Sequence, residues 1–138
     1  MTGLAVALVM QTSLLGADAT YAEAYQDAQQ TGRPLVVLVG ADWCPHCVRL
    51  KNDIIPVVRK RGEMDHVVFV ALDADDQPKT ARKIMTGRSL PQLVMYRKSG
   101  SEWQRYQLTG APSADKIASF LQQGAEVAET AQTASRSE

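Results

Sequence analysis

Residues 40–47 read GADWCPHC, and they are the segment of the sequence that is most informative about the fold. It follows the continuous apolar run Leu35 to Val39 (LVVLV), which is typical of a buried parallel strand. After it, the sequence predicts a helix that begins near Cys44 and ends near Arg61. The stretch is therefore a turn from a buried strand into a helix, with Cys44 at the helix N-terminus.

The chain contains two cysteines, Cys44 and Cys47, in Cys-x-x-Cys spacing. A disulfide between them would close a very small loop and constrain the unfolded chain little, so the pair suits chemistry better than bracing. The unpaired backbone N–H groups at a helix N-terminus favour an anion and therefore stabilise a thiolate. We expect the helix start to expose the sulfur of Cys44 and to shield that of Cys47, which makes Cys44 the reactive thiol.

The rest of the chain alternates helix and strand patterns. Thr20 and Glu23 have the spacing of a capping box at the start of a first helix, which Gly32 ends. The first two strands are joined by a helical crossover and should pair in parallel. This order predicts an α/β domain with a mixed central β-sheet flanked by helices. The further predicted elements are strands at Val67–Leu72, Gln92–Arg97 and Trp103–Leu108, a helix at Pro78–Met85, a kink at Pro56 in the long helix, and a last helix capped by Ser113.

Length and composition indicate one globular domain and exclude some partners. The 138 residues suffice for a single hydrophobic core. The 15 basic residues balance 15 acidic ones without forming a basic stripe, so nucleic acid is not an expected partner. No apolar run is long enough to span a bilayer, so no stable membrane insertion is expected. We expect a monomer.

The two ends of the chain read differently from its centre. Leu4 to Met10 (LAVALVM) is apolar, and Ala17-Asp18-Ala19 has small residues at the positions that a signal peptidase reads. Residues 1–19 are therefore predicted to be a signal peptide, residues 20–123 the folded domain, and residues 124–138 a polar, disordered tail. A periplasmic or otherwise extracytoplasmic location follows. The alternative is that residues 4–10 form a first β-strand on the sheet edge, in a cytoplasmic protein.

The stretch GADWCPHC resembles the active-site turn of the thioredoxin superfamily. That family also has a cis-proline loop facing its cysteines, whose counterpart here is Leu90-Pro91 at the start of the strand QLVMYR. Its late glycine in the substrate groove matches Gly110. The resemblance covers roughly residues 20–123 and implies a thioredoxin-like fold, similar to small exported domains that can lack the family's first strand.

This resemblance implies a thiol–disulfide oxidoreductase. Cys44 would attack a substrate disulfide and Cys47 would resolve the mixed disulfide. Pro91 would be cis and would hold a substrate strand beside the cysteines. The redox-active disulfide would be the only redox group, without a metal, and electrons would pass between protein thiols or disulfides and a protein redox partner. The implied catalytic residues are Cys44, Pro45, His46 and Cys47, and the implied substrate-binding residues are Trp43, Leu90, Pro91 and Gly110.

The dipeptide Pro45-His46 departs from the Gly-Pro that thioredoxins carry and is similar to the bacterial periplasmic disulfide oxidants. A histidine beside the Cys44 thiolate can donate a hydrogen bond or a charge to it, which favours the reduced form. We therefore expect a pair more oxidising than that of thioredoxin. The long helical insertion of the periplasmic oxidants is absent, because the segment from Cys47 to Pro91 is too short for it.

A second departure concerns the resolving cysteine. Thioredoxins pair a buried Asp with a Lys in the neighbouring strand, and the matching positions here are Leu38 and Ala71. The usual proton acceptor for the resolving cysteine is therefore missing, and Asp42 is nearer in sequence but expected to be exposed. The acids Asp73, Asp75 and Asp76 lack the Gly and Glu pattern of a calcium loop, so we expect a solvated loop there.

Two other functions remain open at this point. The groove near Trp43, Pro91 and Gly110 could hold client proteins without turnover. Alternatively, two thiolates suit a soft ion such as Cu(I), and Cys44 and Cys47 could carry one, with His46 as a further ligand. A metal carrier would not need the cis-proline loop, which favours the enzyme.

Overall fold

The computed structural model describes residues 20–124 of the chain. The signal peptide or first strand expected within residues 1–19 lies outside the described residues, as does the expected tail beyond residue 124. Within residues 20–124, no helix is long and apolar enough to cross a membrane.

The predicted order of helices and strands is confirmed, and the element ends shift by only one or two residues. The elements are helix α1 (Tyr21–Thr31), strand β1 (Leu35–Gly40), helix α2 (Pro45–Arg49), a π-helical turn (Leu50–Ile54), helix α3 (Ile55–Lys60), strand β2 (Val68–Asp73), helix α4 (Pro78–Ile84), strand β3 (Gln92–Ser99), strand β4 (Glu102–Thr109) and helix α5 over residues 114–124.

The described strands form one mixed sheet in the order β2-β1-β3-β4. β1 pairs in parallel with β2, whereas β1 with β3 and β3 with β4 pair antiparallel. The parallel pair needs a crossover, which the segment from α2 to α3 supplies. The β3–β4 hairpin needs only a tight turn, where Gly100 adopts a φ of +64°. The expected mixed sheet flanked by helices is confirmed.

Both faces of β1 are covered, which explains its unbroken apolar run. Val36 and Leu38 belong to the core beneath the π-helical turn, α3 and α5. Val37 and Val39 belong to a second core beneath α1 and α4. The sheet is therefore the middle layer of three, and its β1 strand leads from this buried centre directly to the cysteines.

Helix α1 begins at the capping box that the sequence predicts. The Thr20 hydroxyl accepts the backbone N–H of Glu23 at 3.2 Å, and the Glu23 carboxylate accepts the backbone N–H of Thr20 at 3.2 Å. Gly32 ends the helix with a φ of +72°, a conformation that glycine adopts without strain. Both ends of this helix are thus set by local sequence.

The long helix after the cysteines is not one kinked α-helix, which corrects the sequence expectation. A π-helical turn separates α2 from α3, and the N–H of Ile55 donates to the carbonyl of Leu50. Pro56, in the first turn of α3, has no N–H to donate, and its ring would press on the carbonyl one turn earlier. The wider turn before it relieves that clash while the chain stays helical.

Gly124 belongs to α5 and is buried, although the sequence assigned it to the tail. A Cβ at this position would lie 2.9 Å from the sulfur of Met95 and 3.3 Å from Cγ of Pro34. The missing side chain therefore lets α5 approach β3 closely. The small residue serves packing, and the described fold extends one residue beyond the expected boundary.

Candidate active site

The two cysteines lie where β1 passes into α2, as the sequence predicts. Cys44 is the N-cap of α2, and Pro45 occupies the first turn, where a missing N–H costs the helix nothing. Cys44 and Cys47 form a disulfide with their Cα atoms 5.2 Å apart. A single turn of chain therefore holds the whole Cys-x-x-Cys pair.

The sulfur of Cys44 caps the helix that it begins. Sγ of Cys44 accepts the backbone N–H of Cys47 at 3.3 Å, which pairs one of the donors that a helix start leaves free. An anionic sulfur is a stronger acceptor than a neutral one. In the reduced protein this contact therefore favours a thiolate at Cys44.

The two cysteines are almost equally buried, so the expected exposure of Cys44 is wrong. Cys44 is 6% exposed and Cys47 is 5% exposed. Ala41 and Leu90 pack against the pair, and the Cys44 N–H donates to the carbonyl of Ala41 at 3.1 Å. The turn before the helix thus folds back over the first cysteine. In this disulfide form, hydrogen bonding rather than exposure distinguishes the two residues.

The loop before β3 completes the site around the disulfide. The Leu90–Pro91 peptide bond is cis, which confirms that expectation. Leu90 packs on the cysteines, and Pro91 is buried. The N–H of Gly110, just after β4, donates to the carbonyl of Pro91 at 3.1 Å. Leu90 and Pro91 from one loop and Gly110 from another, all predicted from the sequence, therefore lie together at the end of the sheet.

Gln92 holds this loop in place, and sequence reasoning missed it. Its side chain is fully buried, accepts the N–H of Thr86 at 3.2 Å, and donates to the carbonyls of Thr86 and Ser89, both at 2.9 Å. A buried amide must satisfy its polar atoms, so Gln92 binds the loop to the start of β3. The only signal in the sequence was a polar residue opening an otherwise apolar strand.

Trp43, next to Cys44 in the chain, is 70% exposed. Its indole N–H donates to the Asp75 carboxylate at 2.8 Å, across to the loop after β2. This hydrogen bond ties the exposed ring to that loop. An exposed, oriented indole is available for contact with a substrate chain.

Pro45 and His46 are both exposed at the start of α2. Within the described residues the His46 side chain makes no hydrogen bond, while its carbonyl accepts the N–H of Leu50. His46 lines a shallow groove of about 270 Å³ together with Arg49, and the far wall includes Ala111 and Pro112 just beyond Gly110. His46 therefore lies in the first turn of α2 and also lines this groove.

A second cavity, of about 330 Å³, lies beside Cys47. Leu38 and Ala71, which are adjacent partners in the β1–β2 pair, contribute to its lining. The charged residues on its wall are Asp42, Lys51, Asp73 and Asp76. Asp42 is exposed, as expected.

The acidic loop after β2 is solvated at Asp75 and Asp76, as expected, but Asp73 is half-buried. Asp73 ends β2, and its carboxylate accepts the backbone N–H groups of Asp75 at 2.7 Å and Asp76 at 3.3 Å. Among residues 20–124, no group of three His, Cys, Asp or Glu side chains is arranged to hold a metal ion.

Comparison with known proteins gives one family. Residues 21–125 match the family model of the thioredoxin-like domain. A thioredoxin from Thermus thermophilus superposes with a TM-score of 0.63 at 20% identity, covering 75% of this chain and 82% of that one. A Trichomonas vaginalis thioredoxin superposes with a TM-score of 0.60 at 23% identity, covering 78% of this chain and 93% of that one. Trxlp from Edwardsiella tarda superposes with a TM-score of 0.58 at 25% identity, covering 75% of this chain and 95% of that one. The chain therefore belongs to the thioredoxin-like domain family.

Proposed function

We propose that this protein is a thiol–disulfide oxidoreductase that exchanges disulfides with protein substrates through Cys44 and Cys47. One observation carries the proposal. The sulfur of Cys44 accepts the Cys47 N–H at a helix start, directly beside the loop of Leu90 and Pro91. A sulfur that only braced the fold would need neither a thiolate-stabilising donor nor a neighbouring proline loop.

The reaction needs two exchanges. The Cys44 thiolate attacks one sulfur of a substrate disulfide, so a mixed disulfide forms and the other substrate sulfur leaves as a thiolate. Cys47 then loses its proton and attacks the sulfur of Cys44. The internal disulfide forms, and the second substrate sulfur leaves. Two electrons have passed to the substrate, and the reverse sequence oxidises a substrate dithiol.

We propose that substrates bind to the surface around the disulfide. Trp43 precedes Cys44 and is exposed, Leu90 packs on the cysteines, and Pro91 beside it is bonded to Gly110. We propose that an extended substrate segment lies across this surface with its cystine over Cys44. His46 at the rim of the adjacent groove would contact the segment as it leaves the site.

We further propose that the protein works outside the cytoplasm as a monomer. The apolar run of residues 4–10 and the small residues at Ala17 and Ala19 support export. Protein disulfides persist in such oxidising compartments, which supplies substrates for either direction of exchange. A separate protein redox partner would restore the starting oxidation state.

The experiment combines turnover with trapping. We expect the wild type to reduce insulin with dithiothreitol as donor, and Cys44→Ser to have no activity above background. Cys47→Ser should still attack the substrate disulfide through Cys44 and should accumulate mixed disulfides, visible on non-reducing gels. Limited alkylation of the reduced wild type with peptide mapping should label Cys44 first.

Two results would count against the enzyme. Equal insulin reduction by the wild type and Cys44→Ser would show that the cysteine pair does not turn over. Client capture that survives in Cys44→Ser, with no turnover by any variant, would instead identify a binding module. Preferential alkylation of Cys47 would reverse the assigned roles of the two cysteines.

A further inference from the structure

We propose that Asp73 accepts the proton of Cys47, through water in the cavity beside it, when Cys47 resolves the mixed disulfide. This inference rests on the proposed function and adds to it the group that the second exchange requires. At neutral pH an ordinary thiol is mostly protonated, so its attack needs a base. With Leu38 and Ala71 at the usual acceptor positions, the chain must supply that base elsewhere.

The register of the sheet brings Asp73 to the correct face. β1 and β2 run in parallel, with Leu38 opposite Ala71 and Gly40 opposite Asp73. Side chains two residues apart on a strand share a face, so Asp73 lies on the same face as Ala71, one step nearer the strand end. Gly40 in turn contacts Cys47, because a Cβ on it would lie 3.0 Å from Cβ and 3.4 Å from Sγ of Cys47.

The Asp73 carboxylate is held in one orientation. A single oxygen, Oδ1, accepts the N–H groups of Asp75 and Asp76, which forms an Asx turn at the end of β2. The other oxygen, Oδ2, makes no hydrogen bond within the described residues. The turn therefore fixes the side chain and leaves one oxygen to receive a proton.

The cavity can carry that proton between the two groups. Its volume of about 330 Å³ is ample for several waters, and both Cys47 and Asp73 line it. Asp42, Lys51, Asp76 and Gln77 on its wall give such waters hydrogen-bond partners. A short water chain is thus the physical link between thiol and carboxylate.

The other charged groups facing Cys47 fit the role less well. Asp42 on the turn before α2 and Asp76 beyond β2 are exposed. Lys51, one helical turn after Cys47, lines the same cavity, and as a cation it would stabilise the thiolate rather than accept its proton. Asp73 combines partial burial, a fixed side chain and a position on the Cys47 side of the sheet.

The Cys47 proton passes through water to Oδ2 of Asp73 while the Cys47 sulfur attacks Sγ of Cys44. The bond between Cys44 and the substrate sulfur breaks, and the internal disulfide forms. The substrate sulfur leaves with the electron pair of the broken bond, and Asp73 later returns its proton to solvent.

The test is Asp73→Asn, because asparagine keeps the Oδ1 acceptor of the Asx turn and removes the base. The rate of mixed-disulfide formation, measured in a Cys47→Ser background, should stay within about twofold of the parent. Release of a fluorescent peptide substrate from the mixed disulfide, measured with both cysteines present, should slow at least about tenfold near pH 6.5. The difference should vanish above about pH 9, where hydroxide can take the thiol proton. Asp76→Asn, on the same cavity wall, is the matched control and should release substrate at the wild-type rate.

A second measurement does not depend on turnover. In a Cys44→Ser background, the alkylation rate of Cys47 is followed against pH. Loss of a nearby negative charge should move its midpoint to lower pH in Asp73→Asn but not in Asp76→Asn. Should the wild type exchange no disulfides, the proposed function fails, and this midpoint still tests whether Asp73 faces Cys47. An unchanged midpoint, an unchanged release rate, or equal slowing by both Asn variants would overturn the role of Asp73.

Discussion

Cys44 and Cys47 differ in their hydrogen bonds and not in their exposure. Their side chains are buried to nearly the same extent, yet only the sulfur of Cys44 accepts a helix-start N–H. A hydrogen bond to an ionised acceptor contributes about 1.5–3 kcal/mol. That energy is available to the Cys44 thiolate, and nothing equivalent reaches the sulfur of Cys47 among the described contacts. The proposed order of attack follows from this asymmetry.

His46 should make the pair more oxidising than thioredoxin. Stabilising the Cys44 thiolate stabilises the reduced form of the pair and raises its reduction potential. If His46 stabilises the thiolate by about 1.4–2.8 kcal/mol, the potential of the two-electron couple rises by about 30–60 mV. Because the reduction potential of thioredoxin is about −270 mV, we expect about −240 to −210 mV for the Cys44/Cys47 pair. His46→Ala should return the potential toward thioredoxin's, as measured by equilibration with glutathione buffers.

The other histidine provides the control for this measurement. Nε2 of His66 donates to the carbonyl of Leu121 in α5 at 3.0 Å. His66 is not one of the residues that pack on the disulfide. His66→Gln should therefore leave the potential unchanged. A wild-type potential at or below that of thioredoxin, insensitive to His46→Ala, would mean that His46 is only a surface residue.

The predictable residues of the site are those that belong to a contiguous motif or a turn. Cys44, Cys47 and Pro91 stand out because a strand end, a helix start and a proline each have a local signature. Gln92 and Asp73 have no such signature. Their importance depends on what lies across the loop or the sheet, which single-sequence periodicity does not contain.

At the scale of elements, the loop before β3 depends on one buried amide. Gln92 makes three hydrogen bonds, to Thr86 and Ser89, in a region where the apolar strands offer no other polar side chain at comparable depth. Because the same loop continues into Leu90 and Pro91, its order decides where the substrate strand would lie. Stability and exchange rate should therefore be coupled through this residue.

Gln92→Leu should lower the free energy of unfolding by about 2–4 kcal/mol. The apolar replacement fits the burial but takes their Gln92 partner from the Thr86 N–H and the Ser89 carbonyl, whereas the Thr86 carbonyl keeps the Gln107 amide at 3.5 Å. Each buried group left without a partner costs about 1–3 kcal/mol, and the loss stays near the low end because Thr86 and Ser89 are exposed. Urea denaturation measures the loss, and the exchange rate of the folded variant should also fall. Gln30→Leu, at an exposed position of α1 whose side chain makes no hydrogen bond within the described residues, is the control and should change stability by about 0.5 kcal/mol or less. Equal stability of Gln92→Leu and the wild type would show that the loop is held by other contacts.

The elements themselves were largely predictable, and the exceptions have physical causes. Apolar runs and turn residues located the strands and the hairpin, because burial on both faces and tight turns leave direct marks in sequence. The π-helical turn at Leu50–Ile54 was not predicted, since a proline can be accommodated by a kink or by a wider turn with the same local sequence. The close approach at Gly124 depends on Met95 of a distant strand.

At the scale of the whole molecule, the central position of β1 determines which elements meet at the disulfide. β2 and β3 flank it, so the end of β2 brings Asp73 to one side and the start of β3 brings Pro91 to the other. β4 adds Gly110 through its pairing with β3. Strand order thus separates the proposed substrate-binding side of the disulfide from the side proposed to accept the proton.

The exported chain should begin at Thr20, because we expect cleavage after Ala19. The capping box supports this boundary, because the Thr20 nitrogen already donates to the Glu23 carboxylate and a new ammonium group there would keep that partner. A chain beginning at Thr20 should therefore unfold at nearly the same urea concentration as the full chain. Mass spectrometry of protein from its native host should find this terminus in an extracytoplasmic fraction. An intact Met1 or Thr2 terminus in the cytoplasm would refute export and favour the alternative in which residues 4–10 are a permanent strand of the fold.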